Sequence, residues 1–208
     1  MGKLIFYYGT MGSAKTANAL MTRYQYLQNG RSVWLIKPAT DTRDDKEGKT
    51  IIKSRIGLEA ESRAIRDGDN IFNIYNLDWG YNKPDVIIGD EVQFFSSEQI
   101  EQLRDIATFL DIDVLCFGLR TNFITQSFTG SSRLFELADD FIKLDNICDC
   151  GCTALINARL DRSGNIITAG ENILIGGDSQ YKSMCWKCYR QKTGKYAKIN
   201  IHKEVNSF

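Results

Sequence analysis

Gly9-Thr10-Met11-Gly12-Ser13-Ala14-Lys15-Thr16 stands between an apolar, aromatic-rich run (Leu4 to Tyr8) and a stretch, Ala17 to Gln28, with the residue types and spacing of a helix. A strand, a glycine-bearing loop that closes on Lys15-Thr16, and a helix come close to G-x-x-x-x-G-K-[ST]. Loop and helix-start N–H groups would point at an anion, Lys15 would add charge, and Thr16 would offer a hydroxyl to Mg²⁺. Ala14 stands where glycine is usual. Because Lys15-Thr16-Ala17 reads as the opening turn of a helix, Ala14 is expected in right-handed helical conformation, where its methyl group costs little.

A second group is Asp90-Glu91, at the end of the apolar run Asp85 to Gly89. An acid here completes a Mg²⁺ site with Thr16. Strand alternation would turn the neighbouring acid the other way, so that one faces the metal and the other an acceptor. A carboxylate near a hydroxyl is a natural general base.

The third group is sulfur. Cys148, Cys150 and Cys152 precede a hairpin-length segment that ends in Cys185-Trp186-Lys187-Cys188. Two such clusters read as a structural Cys₄ zinc site, with Cys150 and Cys152 competing for one place and redox use of Cys185 and Cys188 as the alternative. Cys116 sits in an apolar run and reads as core. The single histidine, His202, leaves no Ser-His or Cys-His mechanism. Between the clusters, Ile173-Leu174-Ile175 breaks into Gly176-Gly177 and then Tyr181, a loop whose backbone can approach a ligand closely.

The elements that must hold these groups alternate. Asn29-Gly30 stops the first helix, Ser32 to Lys37 is a buried strand, and Ala39 to Lys53 is a polar loop. Asp69 to Ile74 reads as a short strand. Ser96 or Ser97 opens a helix with Ile100, Leu103, Ile106, Ala107 and Leu110 at helical spacing. Asp113 to Gly118 is a strand, Ser131 to Ala138 a short helix, and Phe141 to Leu144 a last strand. The expected fold is α/β: a P-loop NTPase-like, mostly parallel sheet flanked by helices over residues 1–145, with ligands at the strands' carboxyl ends. Residues 146–208 form a small zinc-ribbon-like domain.

At 208 residues, with 43% hydrophobic and 25% charged residues, the chain is ordinary for a globular protein. Zero formal net charge advertises neither nucleic acid nor membrane. There is no signal-peptide pattern, and six cysteines in a cytoplasmic setting would be metal ligands or core rather than disulfides. The stretch Lys182 to Lys203 carries bases and no acid. It motivates a competing reading as a zinc-ribbon ATPase that binds nucleic acid.

Taken in order, these motifs resemble the thymidine kinases of the bacterial and animal-cytosolic type. The phosphate loop of that family reads G-x-M-x-S-G-K-[ST], matched by Gly9 to Thr16. D-[TD]-R is matched by Asp41-Thr42-Arg43, S-R-[IL]-G by Ser54 to Gly57, and D-E-x-Q-F by Asp90-Glu91-Val92-Gln93-Phe94. G-L-x-x-[DT]-F is matched by Gly118 to Phe123, and I-G-G-x-x-x-Y by Ile175 to Tyr181. The resemblance implies transfer of the ATP γ-phosphate to the thymidine 5′-hydroxyl, with Glu91 as base and Asp90 with Thr16 as the Mg²⁺ site. Gly9 to Thr16, Asp41, Thr42, Arg43 and Gln93 would serve the nucleotide side. Met11, Leu119, Phe123, Tyr181 and a lasso at Ile173, Leu174, Ile175, Gly176 and Gly177 would hold thymidine. Cys148, Cys150, Cys185 and Cys188 would be the zinc ligands, with Cys152 left over. A homotetramer is also implied. The departures are Ala14 for glycine, Val92 where the family prefers a small residue, and Asn122 where most bacterial relatives have an acid. Ala14 motivates a third reading, a weakly active nucleotide sensor.

Overall fold

The computed structural model describes residues 1–46, 48–170 and 180–194. The chain runs β1 (Leu4–Gly9), α1 (Lys15–Gln28), β2 (Val33–Pro38), β3 (Ile51–Lys53), β4 (Glu59–Glu61), β5 (Arg63–Ile65), α2 (Ile71–Trp79) and β6 (Val86–Gly89). A 3-10 turn (Val92–Phe94) leads to α3 (Ser97–Leu110), β7 (Asp113–Leu119), α4 (Thr129–Leu137), β8 (Asp140–Leu144), β9 (Ile156–Arg159), β10 (Tyr181–Met184) and α5 (Trp186–Lys192).

Six strands form one sheet in the order β5-β2-β6-β7-β1-β8, every pair parallel. Strands buried on both faces read as continuous apolar runs, and Val86, Ile87 and Ile88 have no exposed surface. Leu4, Phe6, Ile87, Val114 and Cys116 pack on one side with Ile100, Leu103 and Ile106 of α3. Ile88, Leu115 and Phe117 pack on the other with Ala19 and Leu20 of α1. The α/β fold expected from the alternation is therefore present. A third apolar cluster joins Cys148, Ala154, Ile156, Ala158, Met184 and Tyr189 around the antiparallel β9–β10 pair.

Two expected elements differ. Asp69 to Ile74 is not a strand; Asn70 caps a helix there, its side chain accepting from the Asn73 N–H at 3.0 Å. Ile71, Ile74 and Tyr75, at helical spacing, are the residues that α2 buries. The polar stretch Ala39 to Lys53 ends in β3, which pairs antiparallel with β4, and the chain then adds the short edge strand β5 beside β2. By contrast, the Ser96 start of α3 is a full capping box with Gln99.

Ala14 also departs from expectation. It is the N-cap of α1 at φ 59°, ψ 27°, in the left-handed region rather than the right-handed one. For a residue with a Cβ that conformation costs about 1–2 kcal/mol. The loop thus takes at Ala14 a shape that glycine adopts freely, and the alanine carries the strain. Ala14→Gly should accordingly be neutral to about 1 kcal/mol stabilising, because relief of strain competes with the larger unfolded-state entropy of glycine. Thermal unfolding reads this; a loss of 1 kcal/mol or more would mean a right-handed Ala14.

Candidate active site

The parallel sheet brings the carboxyl ends of β1, β2, β6 and β7 to one edge, where a cleft of about 900 Å³ opens. Met11, Gly12, Ala14, Lys15 and Thr16 line it from the phosphate loop, and Asp41, Arg43 and Arg55 from the segments after β2. Asp90, Glu91 and Gln93 line it from beyond β6, and Leu119, Phe123 and Tyr181 complete it. Gly9 and Thr10 instead border a small cavity behind the loop, and Thr42 is exposed. The residues from Ile173 to Gly177 lie outside the described residues.

β6 ends at Gly89, so strand alternation no longer governs the two acids that follow. Glu91 turns into the left-handed region at φ 51° and starts the 3-10 turn, and both acids face the same cleft rather than opposite sides. Asp90 is buried beside the Thr16 hydroxyl, while its Oδ1 has no partner among the described residues. Burial, with the adjacent Glu91 charge, pushes the Asp90 carboxyl up to about 7; Thr16 and the Lys15 ammonium act in the opposite direction. Lys15 is itself buried and donates to the Thr10 carbonyl at 2.8 Å. Burial lowers its pKa against the pull of Glu91 and Asp90. A buried carboxyl with an unpaired oxygen beside a hydroxyl is a donor set that suits Mg²⁺.

Glu91 is held at both oxygens. Arg43 Nη2 donates to Oε1 at 2.9 Å, and the Gln93 amide donates to Oε2. Gln93 Oε1 in turn accepts from the Leu119 N–H at 2.9 Å, tying the turn to β7. Arg43 also forks onto Asp41, with Nε to Oδ1 at 2.7 Å. Burial acts to raise the Asp41 carboxyl, but Arg43 and Lys37 outweigh it and hold it below the usual range. Lys37, almost fully buried, donates to Asp45 at 2.9 Å and to the Ile51 carbonyl at 2.7 Å, with Asp41 4.0 Å away.

Val92 is wholly buried under this turn and is accommodated by glycine. A Cβ on Gly89 would come within 2.8 Å of Val92 Cγ1, and one on Gly118 within 3.0 Å of its Cγ2. The larger residue therefore fits without displacing Gln93. Asn122 folds back on its own loop, its Oδ1 accepting from the N–H groups of Ile124 and Gln126.

Spacing alone did not find the residues that hold the loop. Met11 N–H donates to Asn157 Oδ1 at 2.7 Å, and its carbonyl accepts from Asn146 Nδ2 at 2.8 Å and Ser183 Oγ at 2.6 Å. Asn157 was visible only as a lone amide in the apolar run Ala154 to Ala158.

The Sγ atoms of Cys148, Cys150, Cys185 and Cys188 lie within 4.8 Å of one another, as tetrahedral Zn–S bonds of about 2.3 Å require. Backbone N–H groups of Cys150 and Cys185 lower the Cys148 thiol to about 7, favouring the thiolate that a metal binds. Cys152 is exposed and outside the cluster.

Fold and site define a class: an α/β protein whose glycine-bearing loop, lysine and paired carboxylates meet at the carboxyl edge of a parallel sheet. A family model described as thymidine kinase matches residues 2–189. The chain belongs to the thymidine kinase family and is by that membership a kinase. The thymidine kinase of Shewanella oneidensis is 37% identical over 191 residues, covering 92% of this chain and 98% of its own. That of Legionella pneumophila strain Lens is 37% identical over the full length of both chains. That of Enterobacteria phage T4 is 38% identical, covering 94% of this chain and 99% of its own.

Two outcomes test the site. Cys188→Ser should lose metal by elemental analysis, whereas Cys152→Ser should keep about one zinc per chain; the reverse result would move the ligand set. In Mg²⁺-free buffer, Asp90 should destabilise the fold increasingly as pH rises from its unfolded pKa of about 4 through 7, because the folded state holds the proton longer. Asp90→Asn should remove that decline, so that unfolding curves of the two proteins diverge across this window; parallel curves would contradict the buried acid.

Proposed function

We propose that the chain transfers the γ-phosphate of ATP to the 5′-hydroxyl of thymidine. The observation that carries this reading is Glu91, fixed at both oxygens in the cleft that Lys15, Asp90 and the loop share with Met11, Leu119, Phe123 and Tyr181. Lys15 and the N–H groups of Gly12 to Thr16 take the phosphates. Asp90 and Thr16 hold Mg²⁺, which when bound offsets charge on the phosphate oxygens. Glu91 accepts the 5′-hydroxyl proton, and Arg43, already beside it, is placed to follow the phosphoryl charge. Phe123 and Tyr181 border the space for the base, and the family resemblance assigns Ile173 to Gly177 to the same substrate. Zinc at the four cysteines is structural, with all four positions supplied by sulfur.

In this reading residues 1–145 bind nucleotide and 146–208 carry the zinc and lasso, in a cytoplasmic homotetramer. Among the described residues no helix is long and apolar enough to cross a membrane. The nucleic-acid reading draws less support, because Lys182, the first base of the C-terminal run, is paired with Asp149.

Thymidine with ATP–Mg²⁺ should yield thymidine monophosphate and ADP with no polymer present. Glu91→Gln should keep ATP binding and lose roughly 10²–10⁴-fold in turnover, since an amide cannot take the proton. ATP hydrolysis that depends on DNA, without thymidine phosphorylation, would replace this reading, and near-normal turnover of Glu91→Gln would remove Glu91 from the chemistry.

A further inference from the structure

The phosphate loop is fastened from a distant part of the chain. Every polar group of the Met11 backbone is engaged by a side chain from beyond residue 145: its N–H by Asn157, its carbonyl by Asn146 and Ser183. Gly12 follows at φ 80°, and a Cβ there would come within 3.2 Å of the Asn146 amide nitrogen. The loop and its holders are thus packed to contact, and Asn157 is 4% exposed.

The holders sit next to the sulfur cluster in the chain. Asn146 is separated from Cys148 by one residue, and Ser183 from Cys185 by one residue. Two residues of extended chain span only about 7 Å. Asn157 is the cross-strand partner of Ser183, one step from the Met184–Ile156 pair. The two segments are laced together by Ala154 N–H to the Asn146 carbonyl at 2.7 Å and Leu155 N–H to the Met184 carbonyl at 2.8 Å. At their far ends, Cys148 and Cys150 meet Cys185 and Cys188, and these four sulfurs fit one zinc.

We propose that the four-cysteine site and the phosphate loop are one coupled unit, joined at the Met11 peptide, with Asn146, Asn157 and Ser183 as positioning residues for nucleoside triphosphate binding. A metal that pins the ends of both segments fixes where their side chains meet the loop. By linkage, a triphosphate that orders the loop holds the metal more tightly by the same factor. This rests on the proposed use of ATP at the loop.

The test follows zinc rather than turnover. Zinc-loaded protein is mixed with a chelator selective for zinc over Mg²⁺, with and without saturating ATP–Mg²⁺, and ATP binding is measured directly. ATP–Mg²⁺ should slow zinc release several-fold in the unaltered protein. Ser183→Ala should keep its full zinc content, bind ATP about three- to tenfold more weakly, as loss of one neutral hydrogen bond predicts, and show less protection. Ser183→Thr, which keeps the hydroxyl, should restore both. An unaltered protein that binds ATP yet releases zinc at one rate throughout would overturn the coupling alone. Failure of the unaltered protein to bind ATP would overturn the coupling and the proposed function together. A Ser183→Ala protein that loses its zinc, or that binds ATP normally, would overturn the positioning role.

Discussion

Two consecutive carboxylates have to share the end of a buried strand, and the site is arranged around that constraint. Charges so close and so poorly hydrated repel and resist ionisation. Asp90 pays through its carboxyl, pushed up to about 7. Glu91 takes a left-handed backbone turn that brings its oxygens to Arg43 and Gln93. Arg43 is then committed to Asp41, and the almost fully buried Lys37 anchors the same segment through Asp45 and the Ile51 carbonyl. Burying such a network gives little net stability. What it gives is a fixed position for each charge around an open cleft.

The chemistry-bearing segments were legible because each carries its signal locally. The loop has its glycines and Lys-Thr, β6 is an unbroken apolar run, the start of α3 has a serine with glutamine three residues on, and Cys185 and Cys188 have ligand spacing. What was missed depends on partners chosen by topology. Over the six residues from Asp69 to Ile74, apolar spacing fits either period; Asn70 as a cap and Tyr75 one residue beyond that window decide for the helix. β5 is a three-residue edge strand, too short to show a pattern. Both acids facing one cleft follows from Glu91 leaving the strand geometry, which no alternation rule contains.

Ala14 and Val92 are opposite cases of a departure from a family pattern. At Ala14 the backbone keeps the left-handed shape and the residue bears the strain. At Val92 the added volume is received by Gly89 and Gly118, whose missing Cβ atoms leave room for its two methyl groups. The hydrogen bond from Leu119 to Gln93, and with it the hold on Glu91, persists beneath the larger side chain. Asn157 and Ser183 belong to neither pattern: their role exists only because the β9–β10 pair lies against the loop at Met11.

The strand order also has a consequence for how the molecule is made. β1 is made well before its neighbours in the sheet: among the described residues it pairs with β7 and β8, so that Leu4 meets Val114 and Ile5 meets Asp140. At about 5–20 residues per second, β1 waits roughly 5–30 s for both partners to be synthesised. During that interval Leu4, Ile5, Phe6, Tyr7 and Tyr8 form an aromatic-rich apolar segment without its sheet. Among the strands of the sheet β1 therefore waits longest for a neighbour, although Leu4 and Phe6 end with no exposed surface.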